Sequence, residues 1–252
     1  MTVRTDPEGH ETDALFDLVE LEGREVLEIG CGDGRLTWRY ADRAVHVTAI
    51  DPFEDAIERA KERLRATHLP IDFRHVAFED FAAASDADAF DVGLLSWSLC
   101  CMEQKGMVHA LEQIHRLLRR AGTLIEIHPA LEAPFVEVRS NGELSFREGD
   151  PGFDSEDDLR SADEAVATVV GRGVFVLQER RRFELRTHAS SVREFRDHWA
   201  VVEAYDPEEN EEALVRRQDE IYARAQEVLD RSPGAELVYV EPATMSRLMP
   251  AM

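Results

Sequence analysis

Val26-Leu27-Glu28-Ile29-Gly30-Cys31-Gly32-Asp33-Gly34 decides how this chain folds. A short apolar run, broken only by Glu28, ends in three glycines at alternate positions. Leu36, Thr37 and Tyr40 follow at amphipathic spacing. The pattern predicts a buried strand, a tight turn and the start of a helix. A Cβ at any of the three glycine positions would obstruct a ligand lying against the backbone. The free N–H groups at the start of the helix favour an anionic group nearby.

The glycine spacing separates two kinds of ligand. The dinucleotide fingerprint is G-x-G-x-x-G. Here the third glycine comes one residue early, and Arg35 occupies the fingerprint's third position. The form Glu28-x-Gly30-x-Gly32-x-Gly34 resembles motif I of the class I S-adenosylmethionine (SAM) dependent methyltransferases. That resemblance implies glycines packed against the methionine moiety of SAM, with Cys31 inside the loop and Glu28 near the ammonium end. The plain alternative is a tight strand–helix turn with no ligand.

Val45 to Ile50 is mostly apolar and β-branched, as suits a fully buried strand, and it ends at Asp51-Pro52. An acid at the carboxyl end of the second strand can accept hydrogen bonds from both ribose hydroxyls. A carboxylate offers two acceptor oxygens where an amide offers one. The other reading makes Asp51 a cap for a helix starting near Phe53. NAD also carries a ribose, so Asp51 alone does not select SAM.

The same rhythm continues. Phe53, Ile57, Ala60 and Leu64 recur at helical spacing. Ile71 to Ala77 reads as a third strand leading into Phe78-Glu79. In similar methyltransferases the loop here borders the adenine, which makes Phe78 and Glu79 candidates. A plain acidic helix N-terminus is the equal alternative. Phe90 to Ser96 is a fourth strand. It runs into Trp97, and Ser96 and Trp97 resemble the wall between SAM and the acceptor. Met107, Leu111, Ile114 and Leu118 mark a helix, with Gly122 as its expected C-terminal cap. Thr123 to Ile127 is a fifth strand, ending in His128-Pro129. Strands alternating with helices over 11–129 predict βαβ units and a parallel sheet. The ligand then lies at the carboxyl edge of the strands.

The chain has 252 residues and a formal net charge of −23, from 52 acidic and 29 basic residues. Such a charge repels phosphate backbones and speaks against nucleic acid as a partner. A high-salt cytoplasm is a second explanation for the acidity, and screening would then weaken that argument. The Arg180-Arg181-Arg182 run is the nearest thing to a basic stripe, and on a strand its members alternate faces. No stretch approaches the roughly 20 apolar residues needed to span a bilayer, and the polar N-terminus lacks a signal-peptide pattern. A cytoplasmic protein without membrane partners is expected. Cys31, Cys100 and Cys101 make neither a disulfide framework nor a zinc spacing, so no metal is expected. Cys100 or Cys101 as a nucleophile is opposed by Leu99, where cytosine-C5 methyltransferases carry a proline.

The second half is less regular. Pro134 to Arg147 alternates around Asn141-Gly142, a hairpin signal. Asp150 to Asp163 reads as an acidic, exposed loop. Val174 to Leu185 predicts a long strand, and Leu237 to Val240 a last one. Between them, Ser191 and Glu194 form a capping-box pattern before Val192, Phe195 and Trp199, and a second helix spans about 207–230. The expected whole is one α/β domain over 1–252. It is a doubly wound, Rossmann-like, seven-stranded sheet, mostly parallel with an antiparallel last strand. Its core is 11–129, with an elaboration over 130–190, a helical cap over 191–232 and a last strand and tail over 233–252.

The resemblance implies a methyltransferase with SAM as cofactor and a small-molecule acceptor. His128 is the first candidate for a general base, because its unperturbed pKa lies near neutrality and it ends the fifth strand. A hydrogen-bonded structural His is the alternative, and His188 and His198 are weaker candidates. Phe195 and Trp199, together with Trp97, are expected to line an apolar acceptor pocket. Three other functions stand beside this one: a SAM-binding protein without catalysis, a nucleic-acid methyltransferase of a halophile, and a nicotinamide-dependent oxidoreductase. The acceptor atom and the oligomeric state are not encoded in any motif.

Overall fold

The computed structural model describes residues 3–150, 156–203 and 212–251. The first half holds β1 (Arg4–Thr5), α1 (His10–Leu18), β2 (Glu25–Ile29), α2 (Thr37–Tyr40), β3 (His46–Asp51), α3 (Glu54–Leu64), β4 (Ile71–His75), α4 (Phe78–Ala84), β5 (Phe90–Ser96), α5 (Gln104–Leu117) and β6 (Leu118–Pro129). The second half holds β7 (Phe135–Ser140), β8 (Glu143–Gly149), α6 (Glu156–Gly171), β9 (Phe175–Ala189), α7 (Val192–Glu203), α8 (Glu212–Arg231) and β10 (Glu236–Pro250). The strand order is β1-β9-β10-β6-β5-β2-β3-β4, with β7 beside β10 and β8 beside β7. Among the described residues ten strands replace the expected seven, because β1 and the β7–β8 hairpin also join. The chain divides into two compact units.

The first unit comprises Thr12–His128, Asp158–Arg182 and Thr244–Met252. Its strands pair in parallel: β2 with β3, β2 with β5, β3 with β4, and β5 with β6. From β2 the chain winds outward through β3 and β4. From β5 it winds the other way to β6. The strand order therefore reverses between β2 and β5, and the crevice at their carboxyl ends is where such sheets bind ligands. β5 is buried at six of its seven positions, as a strand covered on both faces must be. Leu27, Ile29 and Leu95 pack with Phe81, Leu111, Ile114, Val166 and Phe175 in one core. The α5 stripe Met107, Leu111 and Ile114 is buried as its spacing predicts.

Two expectations within this unit need correction. Gly122 caps no helix: α5 ends at Leu117, and the chain passes straight into β6 at Leu118. There the register jumps from Phe90↔Leu118 to Val92↔Thr123, so β6 bulges. A Cβ at Gly122 would sit 2.8 Å from the Arg119 carbonyl oxygen, so the glycine serves close backbone approach. The expected helix after the glycine turn is present and is four residues long. Finally, much of the expected acidic loop is helical, since α6 begins at Glu156; residues 151–155 lie outside the described ones.

The second unit comprises Met1–Glu11, Pro129–Asp157 and Phe183–Ala243. β7 and β8 form the expected hairpin, with Asn141 at φ 50° and Gly142 at φ 84°. β10 pairs antiparallel with β7. Helices α7 and α8 have a core of their own here: Phe195, Tyr222 and Ala225 pack with Val136, Val138, Leu237 and Tyr239. The Glu194 N–H donates to Ser191 Oγ at 3.2 Å, as the capping pattern predicts. Phe195 is 2% exposed and so anchors this core instead of lining an open pocket. Asp150, expected in a loop, is 1% exposed and accepts hydrogen bonds from Gln218 and Tyr222. The expected start of the second helix near 207 falls outside the described residues, and α8 begins at Glu212.

Candidate cofactor site

The glycine turn leaves β2 and enters α2. Gly30, Gly32 and Gly34 all take positive φ, at 76°, 54° and 86°. Their reasons differ. A Cβ on Gly30 would lie 2.3 Å from Ser98 Cβ, in the segment that follows β5. Ser98 Oγ also donates to the Ile29 carbonyl at 2.9 Å. The two strand ends at the point of reversal are thus in direct contact. A Cβ on Gly34 would lie 2.7 Å from Trp38 Nε1. Gly32 alone has nothing within 4 Å of its would-be Cβ. It faces open space while holding a conformation that side chains resist.

Asp51 ends β3 and is buried. Its Oδ2 accepts from the Gly32 N–H at 2.8 Å, and its Oδ1 accepts from the Phe53 N–H at 2.9 Å. Burial raises its pKa, and the two backbone donors only partly offset that. Each oxygen keeps a lone pair for a further donor. Pro52 is exposed, and Phe53 exposes 39% of its surface beside this carboxylate. The sequence reading places Phe53 at the start of a helix, and it is the residue before α3.

Ser96 is buried at the end of β5, and Trp97 follows at φ 55°. A left-handed conformation at a bulky aromatic costs energy and clusters at functional sites. The Trp97 N–H donates to Ile127 O at 3.0 Å, which fixes the turn to β6. The Arg35 guanidinium lies 5.9 Å from the Trp97 ring centre. Cys31 is buried, and burial with Glu28 and Asp51 nearby pushes its thiol far up. A hydrogen bond with Cys101 and burial likewise push the Cys100 thiol up, away from nucleophilic chemistry. Phe78 packs into the hydrophobic core, and Glu79 is exposed in the first turn of α4. Their surroundings are those of a plain acidic helix N-terminus.

His128 ends the buried run of β6 and is 1% exposed. Its Nδ1 donates to Glu126 Oε1 at 2.6 Å. Its Nε2 forms an ion pair with Asp163 at 3.7 Å. Arg180 donates to the same Asp163 oxygen at 2.9 Å and to Ser246 at 3.0 Å. Burial works to lower the His128 pKa, but Glu126 and Asp163 prevail and push it up to about 10. The ring is an imidazolium held between two carboxylates. Glu126-x-His128 at strand period was legible in the sequence; Asp163 and Arg180, from distant segments, were not. Among the described residues, no group of three His, Cys, Asp or Glu could hold a metal, and no helix is long and apolar enough to cross a membrane.

The turn at the strand reversal, the open cradle at Gly32 and the carboxylate tied to it fit an adenosyl ligand with an amino-acid tail. Residues 26–122 match the family described as "Methyltransferase domain". Over that stretch the chain resembles the SAM-dependent methyltransferases. It is 39% identical over 83 residues to a ubiquinone biosynthesis O-methyltransferase of Aromatoleum aromaticum, covering 33% of this chain and 32% of the relative. It is 32% identical over 119 residues to a malonyl-[acyl-carrier protein] O-methyltransferase of Salmonella typhimurium, covering 46% and 43%. The chain spans less than half the length of these curated relatives. A candidate methyltransferase structure from Bacillus halodurans shares the fold at a TM-score of 0.60 and 13% identity, over 96% of this chain and 98% of that one.

Proposed function

We propose that this protein transfers the methyl group of SAM to an oxygen of a small-molecule acceptor. One observation carries the reading: Gly32 faces open space at the strand reversal, and its N–H is held by Asp51. In this reading Gly30, Cys31, Gly32 and Gly34 form the floor under the methionine moiety. Asp51 takes the ribose hydroxyls, and Pro52 and Phe53 flank the adenine. Ser96 and Trp97 wall the acceptor side. Bound SAM supplies a methyl group made electrophilic by its sulfonium, so the protein's task is alignment. An oxygen acceptor follows from the two named O-methyltransferases that the chain resembles. The net charge of −23 supports a small acceptor over a phosphate-rich polymer.

His128 in this reading is not the base. An imidazolium with both nitrogens engaged has no lone pair to offer at neutral pH. It holds β6 to α6 through Asp163, and the acceptor must reach the site already ionised or lose its proton elsewhere.

Calorimetry and product detection test the proposal together. SAM and S-adenosylhomocysteine should bind and NAD should not. Incubation with SAM and a metabolite extract should yield a species heavier by one CH₂. Binding of NAD without SAM would overturn the cofactor assignment. Tight SAM binding with no methylated product from any extract would favour the non-catalytic alternative.

A further inference from the structure

Glu28 sits two residues before the first glycine, and one oxygen of its carboxylate is tied within the protein. Its Oε2 accepts from Thr37 Oγ1 at 2.6 Å and from Tyr40 OH at 2.7 Å. All three residues are buried to 1% exposure or less. Glu28 belongs to β2, the entry of the glycine turn, whereas Thr37 and Tyr40 are the first and last residues of α2, its exit. The carboxylate therefore bridges the two ends of the turn from beneath.

The turn needs such a bridge. A four-residue helix has too few internal hydrogen bonds to hold itself. The residue at its N-terminus, Leu36, supplies no side-chain cap. Three positive-φ glycines at alternate positions between strand and helix add freedom where rigidity is required. On the outer side the turn is tied by Gly32 N–H to Asp51 and by Gly34 N–H to Cys31 O at 2.9 Å. On the inner side, two charge-assisted hydroxyl bonds converge on Glu28.

We infer that Glu28 is a positioning residue: it fixes the shape of the glycine turn through Thr37 and Tyr40. This inference rests on the SAM reading above and differs from the contact that the motif's resemblance implies for an acid at this position. The two roles need different chemistry. A clamp needs an oxygen that accepts two hydroxyls, which a glutamine amide also supplies. An ammonium ligand needs negative charge. The clamp acts on every ligand that lies on the turn, whereas an ammonium ligand acts only on ligands with an amino-acid tail.

Dissociation constants for SAM and for 5′-methylthioadenosine, which lacks the amino-acid tail, separate the roles. They are measured on wild type, Glu28→Gln and the double variant Thr37→Val/Tyr40→Phe, each confirmed folded by circular dichroism. The clamp predicts that Glu28→Gln keeps both affinities near wild type. It predicts that the double variant, with Glu28 intact, loses about tenfold or more for both ligands alike. The inference is overturned if Glu28→Gln loses SAM but keeps methylthioadenosine. It is overturned equally if the double variant binds both normally. Should wild type bind neither ligand, the SAM reading itself fails, and that outcome is visible before any variant is made.

Discussion

The carboxylate of Asp51 accepts a hydrogen bond from the backbone N–H of Gly32 at 2.8 Å. The end of β3 is thereby joined to the middle of the glycine turn, and the second oxygen is held by Phe53. Asp51→Ala should weaken SAM binding by roughly 1–3 kcal/mol, the scale for hydrogen bonds to a charged group. Asp51→Asn should fall between, since its amide nitrogen cannot accept from an N–H. Because the pKa of Asp51 is raised, SAM affinity should begin to fall at a higher pH than an ordinary aspartate would cause. Calorimetric titrations of SAM across mildly acidic pH check both statements.

The glycines differ in what they tolerate. Gly30→Ala forces a methyl group onto Ser98, so the contact between the β2 and β5 ends must break. Gly32→Ala meets no protein atom and should cost only about 1–2 kcal/mol of backbone strain. Its methyl group nevertheless points into the space assigned to the cofactor. Gly30→Ala should therefore show the larger loss of melting temperature, and Gly32→Ala should lose SAM affinity while remaining folded. Normal SAM binding by Gly32→Ala would move the cofactor off the turn.

The turn and Asp51 were legible because each is written in a few consecutive residues. β2 to β6 were legible because buried parallel strands read as apolar runs. What escaped depended on partners far along the chain. Gly122 resembles a helix cap locally, and only its approach to Arg119 and Asp91 shows a bulge. Phe78 resembles a ligand-side aromatic, yet it packs into the core with Phe81 and Leu111. Phe195 and Trp199 at i, i+4 could serve a pocket or a core, and the hairpin strand carrying Val136 and Val138 decided for a core. His128 fits a base or a hydrogen-bonded structural His by sequence alone, and its partner Asp163 comes from a segment far along the chain.

That pairing sets a pH signature. Folding raises the His128 pKa from 6.5 to about 10. A raised folded-state pKa gives stability that is complete below the unfolded value and is lost as pH climbs through the folded one. The stability difference between wild type and His128→Gln should thus be largest near pH 6 and shrink through about pH 10. At its maximum it should reach roughly 3–5 kcal/mol, because the substitution leaves Glu126 buried without its cation. Denaturant midpoints recorded from pH 6 to 10 check this. The turnover profile should show no ionisation near pH 6.5; one that disappears in His128→Gln would restore the base.

The aromatic cluster around Phe195 supplies the last test. Phe195 stacks on Trp199 and Tyr222 at 5.6 Å and meets Tyr239 at 5.1 Å. Tyr222 in turn donates to the buried Asp150 at 3.2 Å. Burial and the Asp150 charge push the Tyr222 hydroxyl far up, so it remains a donor at all working pH values. Phe195→Ala should cost about 3–5 kcal/mol, as for a fully buried aromatic. Tyr222→Phe should cost less, about 1.5–3 kcal/mol, by leaving a buried carboxylate short of one donor. Trp199 is only half-buried but touches both Phe195 and Tyr239. Trp199→Ala should therefore lower stability by less than Phe195→Ala, and the two losses should not add, because the rings share one cluster. Urea titrations of the two single variants and the double variant measure this coupling. Strict additivity, or a Phe195→Ala protein as stable as wild type, would show that these helices are held by something other than their aromatic core.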